Sequence, residues 1–184
     1  MIGPSRRLLA ILTLIFFGLL GLVMIQSAQP APLPTPDRTV TRLFPELTVL
    51  DIAAVRLRDP NGDASFIISR AADGTWTAPD HRGELDAAAA TNIARTIVLM
   101  PVERRLPLLE GANLRDYGFR PYGRLSIEVL RGDGGSHAIA VGGLVPSNLA
   151  YYALVDDEPD IVLITRGAID YLITLLRNPP VSSG

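Results

Sequence analysis

The chain has 184 residues, of which 48% are hydrophobic, and a formal net charge of −2 at pH 7. This length suits one ordinary domain with a sizeable core. The chain has no cysteine, and all 17 of its basic residues are arginine. Composition therefore excludes thiol chemistry, disulfides, cysteine-held metal centres and a lysine nucleophile, and the acidic balance argues against a nucleic-acid partner.

The first predicted element is an apolar run from Leu8 to Ile25, 18 residues without a charge. At 1.5 Å per residue, a helix of this length covers roughly 27 Å of a hydrocarbon layer about 30 Å thick. Arg6 and Arg7 precede the run, so the positive-inside rule keeps the N-terminus in the cytoplasm. This pattern predicts a single-pass protein of the cytoplasmic membrane, anchored in the lipid bilayer through residues 8–25, with its domain on the extracytoplasmic side.

Two other interpretations of this run stay open. A cleaved secretory leader usually has a shorter apolar region and small residues before the cut, whereas the best cut here, after Ala28, puts Gln26 where a small residue is preferred. A helix buried in the core is the third interpretation. We expect the retained anchor, and assign residues 1–27 to the cytoplasmic N-terminus and the anchor.

A proline-rich stretch follows the anchor. Prolines alternate with other residues at positions 30, 32, 34 and 36. This pattern favours an extended polyproline II conformation, which rises ~3 Å per residue. We therefore interpret residues 28–43 as a short stalk that holds a domain over residues 44–178 away from the bilayer.

In the first half of this domain, alternating apolar residues and turn signals predict short strands and one helix. Asp59 to Asp63 form a hairpin turn, and the only tryptophan follows the Asp73-Gly74 turn. Asp86 is the predicted N-cap of the helix, which Pro101 ends. The predicted elements are strands over residues 54–58, 64–70 and 75–78 and a helix over residues 87–99.

The second half repeats this order. The predicted elements are strands over residues 125–131, 136–141, 151–155 and 161–164 and a helix that begins after Thr165 and ends at Asn178. Two such units predict an α+β fold, with one globular domain of two repeated antiparallel-strand/helix units behind a single transmembrane helix. Residues 102–106 and the loop through Tyr117 are expected to join the halves, and residues 179–184 to form a tail.

Several short motifs occur in a recognisable order: "DGTW", an alanine-rich helix, "NLRDYGF", "IAVGG", "YYALV" and "VLITRGAIDYLITLL". Over about residues 44 to 178 they resemble a bacterial domain-of-unknown-function family, catalogued as number four-three-four-zero. The resemblance implies a domain behind an N-terminal membrane anchor, often encoded beside ABC-type transport systems of the kind linked to gliding motility. It implies no catalytic residues.

Two clusters of ionisable residues are candidates for chemistry. Asp80, His81, Glu84 and Asp86 form the densest set, and a metal or acid–base role would require them to converge. We interpret them as a solvated loop followed by a helix cap. The acidic run over residues 156–160 offers oxygen ligands for calcium but lacks EF-hand spacing, so we interpret it as a polar turn.

Other motifs favour structural interpretations. Arg131-Gly132-Asp133 spells an adhesion tripeptide, although glycine and aspartate are also what a tight hairpin requires. Ser136, beside His137, lacks the G-x-S-x-G context of a hydrolase, and the glycine runs lack a dinucleotide fingerprint. An enzyme would require His81 or His137 to lie within hydrogen-bond reach of a carboxylate inside a pocket. We expect no enzyme, and no catalytic, cofactor or metal site.

Five aromatic residues form a candidate contact surface with a partner. Tyrosine brings contact area at low entropic cost and tolerates wet and dry surroundings, although about half of the side chains on alternating strands must point into the core. Core packing is therefore the alternative for each of them. The five residues are Tyr117, Phe119, Tyr122, Tyr151 and Tyr152.

These features predict a non-enzymatic, membrane-anchored extracytoplasmic module. We expect it to dock onto another membrane protein, as an accessory subunit of a membrane complex or transport system. The alternative is an extracytoplasmic solute- or glycan-binding domain. A cleft with an aromatic floor and convergent polar groups would favour binding, and a flat aromatic patch would favour docking.

Overall fold

The computed structural model of the protein describes residues 41–121 and 123–182. The predicted anchor over residues 8–25 lies outside the described residues, as do Tyr122 and the predicted stalk through residue 40. Within the described ranges, neither helix has the length and apolar character needed to cross a bilayer.

The described residues form one antiparallel sheet and two helices, which confirms the α+β class. The strands are β1 (Thr41–Arg42), β2 (Ile52–Arg58), β3 (Ser65–Arg70), β4 (Trp76–Thr77), β5 (Pro101–Pro107), β6 (Leu125–Arg131), β7 (Ser136–Leu144), β8 (Ala150–Val155) and β9 (Asp160–Thr165). The helices are α1 (Ala87–Val98) and α2 (Arg166–Arg177).

All nine of these strands join one continuous sheet, in the order β1-β5-β9-β8-β7-β6-β2-β3-β4. Every neighbouring pair is antiparallel. β2 and β6 pair in the interior of the sheet, with Val55 opposite Val129, so the two predicted halves share one ladder rather than forming separate sheets.

Both helices cover the same face of the sheet. Inward side chains of the strands and the apolar stripes of both helices belong to one buried cluster, in which Ile93 of α1 and Leu172 of α2 are fully buried. Because side chains alternate along a strand, residues next to these inward positions point to the opposite face. We call that opposite face the outer face of the sheet.

Helix α1 begins where its sequence signals predict. The Asp86 carboxylate accepts hydrogen bonds from the backbone N–H groups of Ala88 and Ala89, at 2.8 and 3.2 Å. These bonds satisfy donors that the first turn of a helix leaves unpaired. The helix ends at Val98, before Pro101, close to the predicted end.

Three boundaries differ from the sequence-based expectation. Residues 102–106, expected to be a connection, belong to β5 (Pro101–Pro107), which pairs with β9. The domain includes residues assigned to the stalk, since Thr41 pairs with Val102 and Leu43 is buried. The expected tail is tied to the domain up to residue 182, because Val181 bridges to Leu85. In each case the pairing partner lies far away in sequence, so no local pattern reports it.

Candidate functional site

Tyr117 and Tyr152 form an aromatic pair on the outer face of the sheet. Their ring centroids lie 5.2 Å apart with the ring planes at 86°, the edge-to-face arrangement that aromatic quadrupoles favour. Both side chains are half-buried. Two of the five predicted contact residues are thereby brought together, from a loop and a strand that are 35 positions apart in the sequence.

Glycines allow the loop that carries Tyr117 to lie against strand β7. The Gly143 N–H donates to the Tyr117 carbonyl oxygen at 2.8 Å. A Cβ atom at Gly142 would lie 2.4 Å from that oxygen and 2.9 Å from the Phe119 ring, closer than real contacts. Gly118 has a φ of +75°, a backbone conformation that glycine adopts without steric cost. Phe119, the third predicted contact residue, therefore packs over Gly142.

Tyr151 does not belong to the predicted surface. It is only 3% exposed and points toward the helices, where its hydroxyl donates to Asp170 Oδ1 of α2 at 2.7 Å. Strand alternation sends Tyr151 and Tyr152 to opposite faces, and tertiary packing decides which one is buried. Of the remaining predicted residues, Tyr122 lies outside the described part of the chain.

The Tyr151–Asp170 contact changes the ionisation of both groups. Burial raises the pKa of Tyr151, and its hydrogen bond to Asp170 raises it further. Burial by itself would raise the pKa of Asp170, but hydrogen bonds from Arg166 and Tyr151 outweigh it and lower that pKa. Asp170 is therefore an ionised carboxylate that ties α2 to β8.

Apolar and basic side chains surround the aromatic pair. In the strand register Tyr152 lies beside Leu163, and Leu163 lies beside Arg104. Leu154, the next outer-face residue on β8, is half-buried like Leu163, and Arg104 is exposed. We call Tyr117, Phe119, Tyr152, Leu154 and Leu163 the outer patch.

The ionisable set near helix α1 does not converge. Asp86 caps the helix, and Asp80 is exposed. The His81 ring lies edge-on to Phe66, with centroids 5.2 Å apart, rather than beside a carboxylate. No cluster of three or more metal-ligating side chains occurs within residues 41–121 and 123–182.

The acidic run and the adhesion tripeptide are both engaged in local contacts. Asp156, with a φ of +49°, accepts the Ala138 N–H at 2.6 Å, and Glu158 is paired with Arg105. Arg131 is paired with Asp133 of its own hairpin turn, 2.7 Å away. These carboxylates therefore stabilise turns.

His137 has the geometry that we required of a candidate catalytic histidine. Its Nδ1 lies 2.8 Å from Asp156 Oδ2, in a cleft of about 320 Å³. Its ring stacks on Phe44 with centroids 4.3 Å apart. A carboxylate at this distance from Nδ1 fixes the orientation of the imidazole ring.

The described lining of this cleft offers no hydroxyl or thiol side chain that could act as a covalent nucleophile. Its described lining includes Arg105, Arg131 and Glu46 but no serine, threonine or cysteine. Ser136, adjacent to His137 in the sequence, is exposed and does not line the cleft. The histidine–aspartate pair is therefore an orienting contact without a nucleophile.

A second cleft, which the sequence did not reveal, surrounds the only tryptophan. It has a volume of about 660 Å³ and lies between the β3–β4 hairpin and the start of α1. The "DGTW" motif predicted a strand and contributed to the family resemblance, but it predicted no binding site. A lone tryptophan among threonines could have suggested a binding site. The lining of this cleft includes Arg70, Trp76, Glu84 and Thr91.

The chain's last described residues hold one wall of this cleft. The Ser182 N–H donates to the Glu84 carbonyl at 2.9 Å, and the Glu84 N–H donates to Ser182 Oγ at 3.1 Å. A Cβ atom at Gly83 would lie 1.9 Å from the Ser182 carbonyl oxygen, so only glycine fits this approach.

Comparison of the chain with protein-family models, curated proteins and solved structures found no match.

Proposed function

We propose that the protein is a non-enzymatic, membrane-anchored module outside the cytoplasm, which docks onto another membrane protein as an accessory subunit of a membrane complex or transport system. The observation that carries the docking proposal is the Tyr117–Tyr152 pair, half-exposed on a sheet face that neither helix covers.

The proposed tether rests on the apolar run. Leu8 to Ile25 contains no charge, and Arg6 and Arg7 flank its N-terminal side. A segment of this length and flanking charge is suited to span a bilayer with the N-terminus in the cytoplasm. The single span would then keep the domain within reach of a fixed neighbour.

Protease protection in sealed vesicles tests the tether and its orientation. In inside-out vesicles we expect trypsin to leave the domain intact, and in right-side-out vesicles to digest it. N-terminal sequencing of the mature chain supplies the independent readout. A mature chain that begins at Gln29 and washes off in buffer would contradict the proposal.

The outer patch has the composition of a docking surface. Aromatic and aliphatic side chains lie at its centre, and exposed Arg104 and Arg120 lie beside Leu163 and Phe119. Interfaces with an aromatic centre and a polar rim are typical of specific protein contacts. Four clefts on the domain are lined by other residues, so the patch is not part of any of them. The partner expected here has an apolar surface bordered by carboxylates.

Site-specific photocrosslinking in native membranes tests docking. Benzoylphenylalanine replaces Tyr152 in the full chain, and Leu130 in the control. Leu130 is also an outer-face residue and is 37% exposed, but lies on β6, away from the patch. We expect one discrete adduct with a membrane protein from position 152 and none from position 130. Absence of an adduct at 152, or equal adducts at both positions, would refute docking through the patch.

In a non-enzymatic module, His137 is expected to have a structural role. Its Nδ1 is engaged by Asp156, its ring is stacked on Phe44, and no hydroxyl or thiol side chain is among the described residues that line its cleft. The expected role of this pair is to fasten the Phe44 segment to the end of β7 and β8.

We also propose that the two halves of the domain are repeated units. Hairpins β2–β3 and β6–β7 start from adjacent antiparallel strands, and a helix follows the strands in each half. Superposing residues 52–98 on residues 125–177 tests this idea. Hairpins and helices that overlap in the same order would support it, and helices that diverge after the hairpins align would contradict it.

A second candidate function, solute or glycan binding outside the cytoplasm, is favoured by a different observation. Trp76 lies in a cleft that also contains charged and hydroxyl side chains. An aromatic floor with a few polar groups is typical of small-molecule sites. The cleft volume of about 660 Å³ is within the range of such sites.

A further inference from the structure

We infer that the Trp76 cleft binds a neutral, polyhydroxylated ligand of the saccharide class. The inference rests on the second candidate function, solute binding, and names the ligand class for that site. It does not depend on docking through the outer patch, which lies on other residues.

One threonine hydroxyl lies on the indole side of the cleft, and it is available only as an acceptor. In the register of β3 and β4, Trp76 pairs with Arg70 and Thr77 pairs with Ser69, so Thr75 and Thr77 point to the outer face, away from the indole. Thr91 of α1 donates its hydroxyl hydrogen to the Ala87 carbonyl at 2.9 Å. A hydroxyl has one hydrogen to give, so this oxygen retains only acceptor capacity. A ligand at this position must supply the donor.

Glu84 adds a further acceptor. Its carboxylate has no ion-pair partner among the described residues, and its backbone is fixed by Ser182. Charged-group acceptors form the stronger hydrogen bonds with ligand O–H groups. Thr91 and Glu84 therefore present two acceptors on the indole side, and a ligand there must supply O–H or N–H donors.

Arg70 supplies the complementary donors and argues against a cationic ligand. Its Cζ lies 5.8 Å from the centroid of the Trp76 ring. Nε donates to the Gly74 carbonyl and Nη1 to those of Val49 and Leu50, whereas Nη2 makes no hydrogen bond within the described part of the chain. The guanidinium would repel an ammonium group brought to the indole.

The charges in the cleft favour a neutral ligand over an anion or a cation. Glu84 repels an anion and Arg70 repels a cation. A hydroxyl group donates and accepts without carrying a charge, so it can bond to Glu84, Thr91 and Arg70 alike. A saccharide offers several such hydroxyl groups, together with apolar C–H groups for the part of the indole that Arg70 and the core leave uncovered, so its chemistry matches the cleft best.

Tryptophan fluorescence provides a direct test, because Trp76 is the only tryptophan in the chain. The full chain is purified in a detergent without a sugar head group and titrated with maltose, cellobiose and chitobiose. Parallel titrations use L-glutamate, succinate and glycine betaine. We expect a saturable change in emission with at least one of the sugars and none with the charged compounds.

A matched pair of threonine variants localises the effect. Thr91 and Thr96 both lie on α1, are half-buried and donate to the carbonyl four residues earlier, at 2.9 and 2.8 Å, but Thr96 lies outside the Trp76 cleft. Thr91→Val should weaken sugar binding by roughly 3- to 10-fold, the effect of losing one hydrogen bond, and Thr96→Val should leave it unchanged. Glu84→Gln, which perturbs an exposed side chain, is the second cleft variant and should also weaken binding.

The results of these titrations distinguish the saccharide inference, solute binding in general and the assignment of the site to the Trp76 cleft. Saturation by a charged compound and not by a sugar overturns the saccharide inference and retains solute binding. No response to any titrant, with a native circular dichroism spectrum, overturns both. Equal weakening by Thr91→Val and Thr96→Val places the ligand elsewhere and overturns the cleft assignment.

Discussion

The Tyr151 hydroxyl donates to Asp170 Oδ1 across 2.7 Å and thereby links strand β8 to helix α2. Replacement by phenylalanine removes this bond and keeps the ring. Since the acceptor is ionised but partly exposed, we expect Tyr151→Phe to lower the free energy of unfolding by about 1 kcal/mol. Denaturant unfolding of the full chain in detergent measures the change. Tyr171→Phe is the control, because the Tyr171 hydroxyl has no hydrogen-bond partner among the described residues. Equal losses of unfolding free energy in the two variants would contradict a stabilising Tyr151–Asp170 hydrogen bond.

The same carboxylate predicts a pH dependence. The folded-state pKa of Asp170 is lowered below its ordinary value of 3.8, so its contribution to stability is complete above that value and is lost as the pH falls through the folded-state pKa. The difference in unfolding free energy between the wild type and Asp170→Asn should therefore shrink as the pH falls below 3.8 and through the folded-state pKa of Asp170. A constant difference for Asp170→Asn would refute this explanation.

Gly83 is expected to be sensitive to the smallest substitution. An added methyl group would lie 1.9 Å from the Ser182 carbonyl oxygen, so the Val181–Ser182 segment would have to move. Gly83→Ala should destabilise the domain by about 1–3 kcal/mol, as overpacking does. Gly167→Ala on α2 is the control: its added Cβ meets no atom within 4 Å, and a helical alanine should stabilise by up to about 1 kcal/mol. Thermal unfolding compares the two, and a tolerated Gly83→Ala would argue against the tight approach.

Gly142 supports the outer patch from beneath. A Cβ atom there would lie 2.4 Å from the Tyr117 carbonyl oxygen, so Gly142→Ala should displace the Tyr117–Phe119 loop and cost about 1–3 kcal/mol. At Gly143 the closest approach would be an ordinary 3.5 Å, so Gly143→Ala is the matched control. If docking uses the patch, the crosslink from position 152 should decrease in the Gly142 variant alone. Equal adducts in both variants would show that the loop does not contribute.

Local signals in the sequence determined much of the secondary structure. The Asp86 cap and Pro101 bracket α1, and the predicted strand over residues 125–131 coincides with β6. Caps, turns and alternation act over a few neighbouring residues, so they can be found without knowing the fold. The α+β class followed from them.

Pairing between distant segments could not be predicted in this way. The sequence of β5 contains few strand signals, because Pro101 and Pro107 enclose a charged stretch. This stretch forms a strand by pairing with β9. Similarly, the bridge between Leu85 and Val181 joins residues 96 positions apart. The free energy that holds such pairs comes from backbone bonds to a partner that the local sequence does not contain.

The candidate sites depended most on tertiary structure. Alternation established that Tyr151 and Tyr152 face opposite sides of a sheet, but the placement of α2 decided that Tyr151 is buried and Tyr152 lies beside Tyr117. The prediction of a membrane anchor, by contrast, needed only the sequence. Whether a segment is suited to enter lipid depends on its length and apolar content, and both can be counted in the charge-free run. A side chain's neighbours depend on how strands and helices pack, and only the folded domain supplies that information.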